Sequence, residues 1–252
     1  MASASIESIV DQIVEAYRSG TQVAVPSQAD GEFSVDDAFA VQDAVARRRA
    51  GDGSTRIRGF KAGLATPPFM GRALAHDIVL DRGNIPFSDL SQPLVEPEVA
   101  FVLGDRLAGT DLTIADVFRA TDFVLPAFEI IDKRTTSEGR AKTSDIIADN
   151  GWFGRMVLGG SPVSATDIDL ADIPVDLYAD GKIVERGRSN NASANPAHAV
   201  IIIAGLLDSI GLALEPGQVV LTGSCTTPFE PSQGSVVRAV FRGLGDVEVS
   251  FT

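Results

Sequence analysis

The chain has 252 residues, of which 44% are hydrophobic, and this is enough to bury the core of one sizeable domain. It carries 21 basic and 34 acidic residues, and its formal net charge of −13 is spread along the sequence without a basic cluster. Nucleic acids and anionic membranes are therefore poor partners. The one cysteine, Cys225, excludes an intrachain disulfide and a multi-thiolate metal site, and two distant histidines disfavour zinc.

Two features of the sequence indicate a soluble protein of the cytoplasm. The first residues carry no basic segment followed by an apolar stretch, which a signal peptide would have. The apolar run over residues 199–207 is too short to span a bilayer. We therefore expect a cytoplasmic location.

The beginning of the chain has the periodicity of helices. Apolar side chains recur every three or four residues over 6–14 and again over 38–45. The second run follows a segment resembling a capping box that starts at Ser34, and it ends in a basic stretch followed by glycine. We predict an N-terminal helical arm over residues 1–55 and a β-rich catalytic domain over residues 56–252.

Short β-like runs dominate the predicted catalytic domain. The expected strands include residues 57–61, 153–158, 175–178, 182–185, 219–221, 236–241 and 247–251. Asp180 and Gly181 separate two of these runs and predict a two-residue hairpin turn, because both tolerate positive φ. Helices are expected to interrupt the strands twice, over residues 114–121 and 196–210.

Three glutamates lie in otherwise apolar runs. Glu96 and Glu98 fall within residues 94–102, and Glu129 falls within residues 123–131. Strand side chains alternate, so Glu96 and Glu98 share a face, and buried carboxylates side by side need a compensating cation. Carboxylates without histidine or cysteine partners suit Mg²⁺ or Mn²⁺. The alternative is a solvated strand face with one glutamate paired to a lysine or arginine, which is commoner for an isolated pair of this spacing.

Five segments in order carry a resemblance to a known family. They are Gly59-Phe60-Lys61-Ala62-Gly63-Leu64, Glu96-Pro97-Glu98-Val99-Ala100-Phe101-Val102, Val124-Leu125-Pro126-Ala127-Phe128-Glu129-Ile130-Ile131, Ile147-Ala148-Asp149-Asn150 and Leu221-Thr222-Gly223. From about residue 39 to the C-terminus, the chain resembles the fumarylacetoacetate hydrolase superfamily. Within it, the chain is most similar to the branch of 2-oxopent-4-enoate hydratases and 4-oxalocrotonate decarboxylases.

The resemblance implies a fold, a cofactor and a type of partner. The expected fold is α+β, a mixed β-roll of the fumarylacetoacetate hydrolase type with an N-terminal helical arm. Glu96, Glu98 and Glu129 are expected to bind Mg²⁺ or Mn²⁺, on which a small 2-oxo acid substrate chelates through its carboxylate and keto oxygens. Homo-oligomers are expected, and a complex with a homologous lyase is an alternative.

The resemblance also implies roles for residues around the metal. Lys61 would hold the substrate carboxylate or deliver a proton, and Asp149, beside Asn150, would position Lys61 or a water. The candidate substrate-binding residues are Leu64, Thr222, Gly223 and Ser224. Without the resemblance, a lone lysine in a strand is usually an exposed charge, and the segments of Asp149 and Thr222 are polar turns.

Two segments depart from the pattern of this branch. Where the branch has a proline-aspartate-aromatic-glycine segment, this chain has Pro67-Pro68-Phe69-Met70-Gly71, so the aspartate is missing. His76 and Asp77 lie nearby in sequence and are candidates to replace it. Ala194-Asn195 stands where the branch has a glycine-histidine pair, and we therefore expect an altered pocket.

The leading functional hypothesis is a metal-dependent lyase that adds water to a 2-hydroxy-2,4-dienoate and gives a 4-hydroxy-2-oxo acid, as in aromatic meta-cleavage catabolism. Decarboxylation of a 4-oxalocrotonate-type 2-oxo acid is the nearest alternative, because both reactions pass through an enolate stabilised by the metal. A carbon–carbon hydrolase of the superfamily comes third. The missing aspartate also leaves open a non-catalytic partner subunit of an active homologue.

Overall fold

The computed structural model describes residues 6–29, 31–51, 56–137 and 139–252. The α-helices are α1 (Ile6–Ser19), α2 (Pro26–Ala29), α3 (Val35–Ala50), α4 (Ile114–Ala120), α5 (Thr143–Ala148) and α6 (Ala197–Asp208). The strands are β1 (Val23–Ala24), β2 (Ile57–Gly63), β3 (Phe69–Leu74), β4 (Ile78–Leu80), β5 (Gly83–Ile85), β6 (Pro93–Leu103), β7 (Thr121–Asp132), β8 (Thr135–Thr136), β9 (Phe153–Leu158), β10 (Pro174–Ala179), β11 (Lys182–Arg188), β12 (Val219–Leu221), β13 (Val236–Phe241) and β14 (Gly245–Phe251). Short 3-10 turns cover Ala75–Asp77, Phe87–Asp89 and Asn150–Trp152.

The N-terminal helices form where the periodicity predicts them. Ile9, Val10 and Ile13 of α1 are buried against α3, because residues three and four apart lie on one helix face. The predicted capping box begins α3: the main-chain N–H of Asp37 donates to Ser34 Oγ at 3.1 Å, and Asp37 accepts from the Ser34 N–H in return. The helical part of the fold prediction is thereby confirmed.

The arm is tied to the β-rich part by a buried amide. Gln42 of α3 donates through Nε2 to the main-chain oxygens of Met70 and Ile147, at 2.7 Å and 3.1 Å. The predicted boundary near residue 55 falls within residues 52–55, which lie outside the described residues. The division into an arm and a catalytic domain stays a prediction.

A mixed, seven-stranded sheet of the described residues carries the candidate site. Its strand order is β3-β2-β12-β6-β7-β9-β4, in which β2 and β12 are parallel, β4 and β9 are parallel, and the other neighbours are antiparallel. The long strands β6 and β7 form its centre, and the short strand β12 separates β6 from β2. Side chains from β2, β6 and β7 can therefore meet above the C-terminal end of β12.

A second sheet packs on the first and completes the core. In the described part of the chain its order is β11-β10-β13-β14-β5. The apolar faces of the two sheets, with α6, bury one continuous cluster that includes Phe101, Phe128 and Phe251. The predicted hairpin joins β10 to β11, with positive φ at Asp180 (50°) and Gly181 (76°), and is confirmed.

Prolines in the two central strands face the ends of neighbouring strands. Proline cannot donate to a ladder, so it is normally confined to sheet edges. The carbonyl of Pro97 in β6 accepts from the Cys225 N–H, in the loop after β12. The carbonyl of Pro126 in β7 accepts from the Gly159 N–H, just after β9. Each proline therefore sits where its neighbouring strand has ended, and no regular ladder donor is lost.

The expectation of two helices among the strands was incomplete. Helices α4 and α6 confirm the predicted ones within a few residues, but α5 was not predicted. The Lys142 N–H donates to Asp145 Oδ2 at 2.9 Å at the start of α5, a local signal that is short and easily taken for a polar turn. Among the described helices, none is both long enough and apolar enough to cross a membrane.

Candidate functional site

Three glutamates of the central strands direct their carboxylates into one small space. Glu96 and Glu98 lie on β6, and Glu129 on β7 stands directly opposite Glu96 in the ladder. One carboxylate oxygen from each lies within 4.8 Å of the others. Glu98 and Glu129 are buried, and Glu96 is half-buried. The structure thus brings together the glutamates that were predicted as metal ligands, and a solvated strand face does not describe them.

The electrostatics of the cluster call for a compensating cation. Burial, and then the charge of Glu129, raises the pKa of Glu96 to about 7. Burial and the charges of Glu129 and Glu96 raise the pKa of Glu98 well above its usual range. Burial also raises the pKa of Glu129, against the attraction of Lys61. Burial and repulsion therefore oppose ionisation of the whole cluster, and a further cation would favour it.

Two oxygens of the cluster are left without hydrogen bonds in the described part of the chain. The Gly223 N–H donates to Glu98 Oε2 at 2.7 Å, but Glu98 Oε1 and Glu129 Oε1 are buried and accept none. Lys61 Nζ lies 3.2 Å from Glu129 Oε1, an ion-pair contact whose angle does not make a hydrogen bond. A buried acceptor without a partner costs about 1–3 kcal/mol. These oxygens are of the type that binds a hard divalent cation.

Lys61 is a buried residue of the site. Its side chain on β2 is only 8% exposed, which excludes the solvated strand lysine that the sequence alone would favour. Its ammonium group lies beside Glu129 and 5.4 Å from the centre of the Phe69 ring. Phe69 belongs to the segment that lacks the expected aspartate. An aromatic face therefore stands next to Lys61, a neighbour that the sequence reading did not identify.

The loop after β12 holds one of the glutamates. The Gly223 N–H, which was predicted to bind a ligand carboxylate, is used by Glu98. The hydroxyls of Thr222 and Ser224 donate to nearby main-chain oxygens. Leu64 packs at Gly223, with Cδ1 3.3 Å from the position that a Cβ there would occupy. Substrate binding by these residues stays a prediction, and what the structure adds is the hydrogen bond from Gly223 to the carboxylate cluster.

Asp149 makes its contacts away from the carboxylate cluster. Asp149 is fully buried. Its carboxylate accepts hydrogen bonds from Arg134 Nε at 2.8 Å and from Thr135 Oγ1 at 3.0 Å. It also accepts from the main-chain N–H groups of Arg134 and Thr135, each at 3.0 Å. Arg134 also contacts Asp132 and donates to the Phe153 main-chain oxygen at 2.9 Å. These are the contacts of a structural ion pair between the end of β7 and the turn before β9. A catalytic role for Asp149 stays a prediction.

The loop that carries Ala194-Asn195 also packs beside the site through Asn191 and Ala192, two residues that the sequence analysis did not identify. Asn191 Nδ2 donates to the Cys225 main-chain oxygen at 2.6 Å, and Ala192 Cβ lies 2.7 Å from where a Cβ on Gly223 would be. The loop between β11 and α6 therefore packs on the segment that holds Glu98. Apart from the departure at Ala194-Asn195, its sequence signal is a run of small polar residues after a strand, which is common in ordinary turns.

His76 and Asp77 belong to another contact. Asp77 is buried and accepts from Arg49 of α3 at 2.6 Å, and His76 lies 3.2 Å from the same guanidinium. This placement, between the end of β3 and the arm, does not support either residue as a replacement for the missing aspartate. Cys225 is buried, and burial followed by the charge of Glu98 raises the pKa of its thiol, as expected of a core cysteine.

The match to a protein family covers most of the chain. Residues 49–252 match the family described as fumarylacetoacetate (FAA) hydrolase, C-terminal. The chain belongs to the fumarylacetoacetate hydrolase family. Relatives within the family include 2-oxo-hept-4-ene-1,7-dioate hydratase of Escherichia coli, which is 31% identical over 96% of both chains. The 2-keto-4-pentenoate hydratase of Paraburkholderia xenovorans is 32% identical over 97% of this chain and 94% of its own length.

Solved structures of other proteins share the fold of this chain. The 4-oxalocrotonate decarboxylase from Pseudomonas putida G7, complexed with magnesium and adipate, has a TM-score of 0.91 and 26% identity over 98% of this chain and 97% of its own. The 5-carboxymethyl-2-hydroxymuconate delta-isomerase from Mycobacterium smegmatis, at 16% identity, has a TM-score of 0.56 over 78% of this chain and 80% of its own. The predicted α+β fold of this family, with N-terminal helices, is confirmed.

The buried ion pair of Arg134 generates a stability prediction. Arg134→Met should lower the free energy of unfolding by about 3–5 kcal/mol, because it leaves Asp132 and Asp149 buried without their cation. Urea denaturation measures the change. Arg186→Met is the matched control, because Arg186 pairs with Asp176 at the surface and should cost no more than about 1 kcal/mol. Equal losses in the two variants would contradict the structural role of the pair.

Proposed function

We propose that this protein is a metal-dependent hydratase that adds water to a 2-hydroxy-2,4-dienoate and yields a 4-hydroxy-2-oxo acid. The observation that carries the proposal is a buried cluster of glutamate oxygens without hydrogen-bond partners beside the Lys61 ammonium group. Support comes from relatives that span nearly the whole chain and are named hydratases of 2-oxo-enoic acids. Aromatic meta-cleavage catabolism is the metabolic setting that fits such a substrate.

The residues present fit a divalent cation. Glu96, Glu98 and Glu129 would hold it, and their oxygen-only donor set favours Mg²⁺ or Mn²⁺ over softer metals. The decarboxylase of similar structure was obtained with magnesium and, in a second structure, with calcium. When bound, the cation supplies a Lewis acid for the keto oxygen of a chelating 2-oxo acid and stabilises the negative charge of its enolate.

Residues of this chain do the rest of the chemistry. Lys61, whose ammonium group lies 3.2 Å from Glu129, would hold the substrate carboxylate or deliver a proton to carbon or oxygen near the cluster. Gly223 fixes one oxygen of Glu98 and so leaves the other free to point into the site. Burial of Glu98 and Glu129 limits solvent at the reacting end and strengthens each charge interaction there.

Decarboxylation is the second candidate. The specific observation in its favour is the structural similarity to 4-oxalocrotonate decarboxylase, at a TM-score of 0.91. Hydration requires a water at the distal alkene carbon, whereas decarboxylation requires surroundings that release the departing carboxylate. Association into a homo-oligomer or with a homologous lyase, and a cytoplasmic location, stay predictions.

The deciding experiment follows both products in one assay. The purified chain is incubated with 2-hydroxypenta-2,4-dienoate and Mg²⁺, with and without EDTA, and NMR detects 4-hydroxy-2-oxopentanoate. A parallel reaction with 4-oxalocrotonate detects carbon dioxide. We expect hydration that EDTA abolishes. Release of carbon dioxide without hydration would establish the decarboxylase instead, and inactivity on both despite tight Mg²⁺ binding would point to a partner subunit.

The proposed metal site predicts that one substitution weakens Mg²⁺ binding without lowering the stability of the metal-free protein. Glu98→Gln should weaken Mg²⁺ binding by more than about 100-fold, since changes beyond the direct ligands already cost 10- to 100-fold. In EDTA the same variant should unfold at no lower urea concentration than the wild type, because it removes a buried carboxylate that its neighbours repel.

Calorimetry gives the Mg²⁺ affinity, and urea denaturation in EDTA gives the stability. Glu185→Gln, on the exposed hairpin strand β11, is the control and should change neither quantity. Unchanged Mg²⁺ affinity in Glu98→Gln would remove this glutamate from the metal site.

Lys61 is expected to act on the substrate and not on metal affinity. Lys61→Met keeps the length of the apolar stem and removes the ammonium group, so turnover should fall by about 100-fold or more while Mg²⁺ still binds. Steady-state kinetics and calorimetry check the two halves of this statement. Lys182→Met on the exposed end of β11 is the control. Wild-type turnover in Lys61→Met would exclude the lysine from the mechanism.

A further inference from the structure

The stem of Lys61 lies close to two glycines. Gly71 on β3 is the ladder partner of Lys61 on β2, and a Cβ added at Gly71 would lie 2.9 Å from Lys61 Cγ and 2.5 Å from the Asn150 main-chain oxygen. A Cβ added at Gly151, the residue after Asn150, would lie 2.8 Å from Lys61 Cε. These distances are shorter than real Cβ contacts. The slot around the lysine therefore exists only because these positions have no side chain.

The second glycine lies in a left-handed turn. Asn150, Gly151 and Trp152 have φ values of 53°, 66° and 60°. Consecutive residues in this region are rare, and tryptophan has no conformational reason to adopt it. Backbone held in a sparsely populated conformation persists only where its surroundings determine it, and such segments concentrate at functional sites.

Side-chain and main-chain bonds hold the turn in place. The Asn150 amide accepts from the Arg72 N–H and donates to the Arg72 carbonyl, both at 2.9 Å, so it clamps the residue next to Gly71 on β3. The Trp152 N–H donates to the Asp149 carbonyl at 2.8 Å, and Asp149 is itself held by Arg134. The buried ion pair described above thus fixes the far end of the turn.

The Phe69 ring closes the slot. A Cβ on Gly151 would also lie 3.0 Å from this ring, whose centre is 5.4 Å from Lys61 Nζ. The lysine stem is therefore bordered by two glycines along its length and by an aromatic ring near its tip. A free lysine side chain samples many rotamers, and an enclosed stem keeps few of them.

We propose that the left-handed turn Asn150–Gly151–Trp152 is a positioning device, which with Gly71 sets the place of the Lys61 ammonium group beside Glu129. Asn150 and Gly151 are positioning residues, and Lys61 is the group they direct. The proposed positioning of Lys61 does not depend on the reaction that the protein catalyses. Its consequence for turnover rests on the proposed function, in which Lys61 meets the substrate, and a displacement of about 1 Å can cost about 100-fold in rate.

The test compares two glycine substitutions with the same backbone cost. Gly151→Ala and Gly181→Ala both place alanine at positive φ, 66° and 76°. At Gly181 nothing lies within 4 Å of the added methyl group, whereas at Gly151 it meets Lys61 Cε. Any difference between the variants beyond backbone strain therefore reports on the slot.

Lysine-selective ¹³C labelling provides a readout that needs no activity. The lysines of the chain are Lys61, Lys133, Lys142 and Lys182, so the ε-methylene spectrum is simple and Lys61→Met identifies its signal. We expect Gly151→Ala to move the Lys61 signal and Gly181→Ala to leave it in place. Mg²⁺ affinity should match that of the wild type in both variants, and kcat/KM should fall about 100-fold in Gly151→Ala alone.

The kinetic split shows what the lysine does once it is displaced. A fall in kcat supports a misplaced proton donor, and a rise in KM supports a misplaced contact to the substrate carboxylate; both support the proposal. An unmoved Lys61 signal, with kinetics equal to those of Gly181→Ala, would overturn it. A moved signal in a chain whose wild type has neither activity would keep the positioning device and overturn the proposed function.

A second variant covers the case in which Gly151→Ala does not fold. Asn150→Gly accepts positive φ without strain, adds no atom, and removes both bonds to Arg72. It should broaden or shift the Lys61 signal and lower kcat/KM. A Lys61 signal and turnover equal to the wild type in Asn150→Gly would overturn the proposal on their own.

Discussion

Mutual repulsion between buried carboxylates on neighbouring strands is the constraint on which the rest of the site depends. Glu96 and Glu129 face each other across the β6–β7 ladder, and Glu98 lies one pleat further on the same face. Burial raises the pKa of each of them, and repulsion from neighbouring carboxylates adds to the effect at Glu96 and Glu98. The protein offsets only part of this unfavourable energy with Lys61 and the Gly223 N–H. Buried carboxylates left incompletely compensated in this way are the surroundings expected of a divalent-cation site.

Much of the fold could be predicted because its signals are local. The helix caps, the Asp180–Gly181 turn and the apolar strands are each determined by residues that lie close together in the sequence. Pro97 and Pro126 show where a local rule misleads, since both lie in central strands. They are tolerated because the strands beside them end at those positions, which is a property of the assembled sheet. Helix α5 was missed because its six residues carry little periodic signal.

The candidate site likewise has one part that local sequence could predict and another part that it could not. Its charges could be predicted, because a glutamate in an apolar run is anomalous in any fold and the motif order supported the assignment. Its supporting parts could not. The roles of Gly71 and Gly151 become visible only when Lys61 is found close to both, and that of Arg134 only when it is found buried against Asp132 and Asp149. The space left by a glycine, and an ion pair between residues that are distant in the sequence, produce no periodic pattern in the sequence.

The charged side chains of the site lie on strands, whereas loops pack over them. This division is relevant to the choice between the two lyase reactions. Hydration and decarboxylation share an enolate, so both require the same carboxylates and the same cation near the keto group. The difference lies at the distal carbon of the substrate. The segments beside the cluster include the Phe69 segment, near Lys61, and the loop carrying Ala192, which packs on Gly223. These are also the segments in which the sequence departs from its branch, so the sequence changes around the carboxylate cluster and not within it.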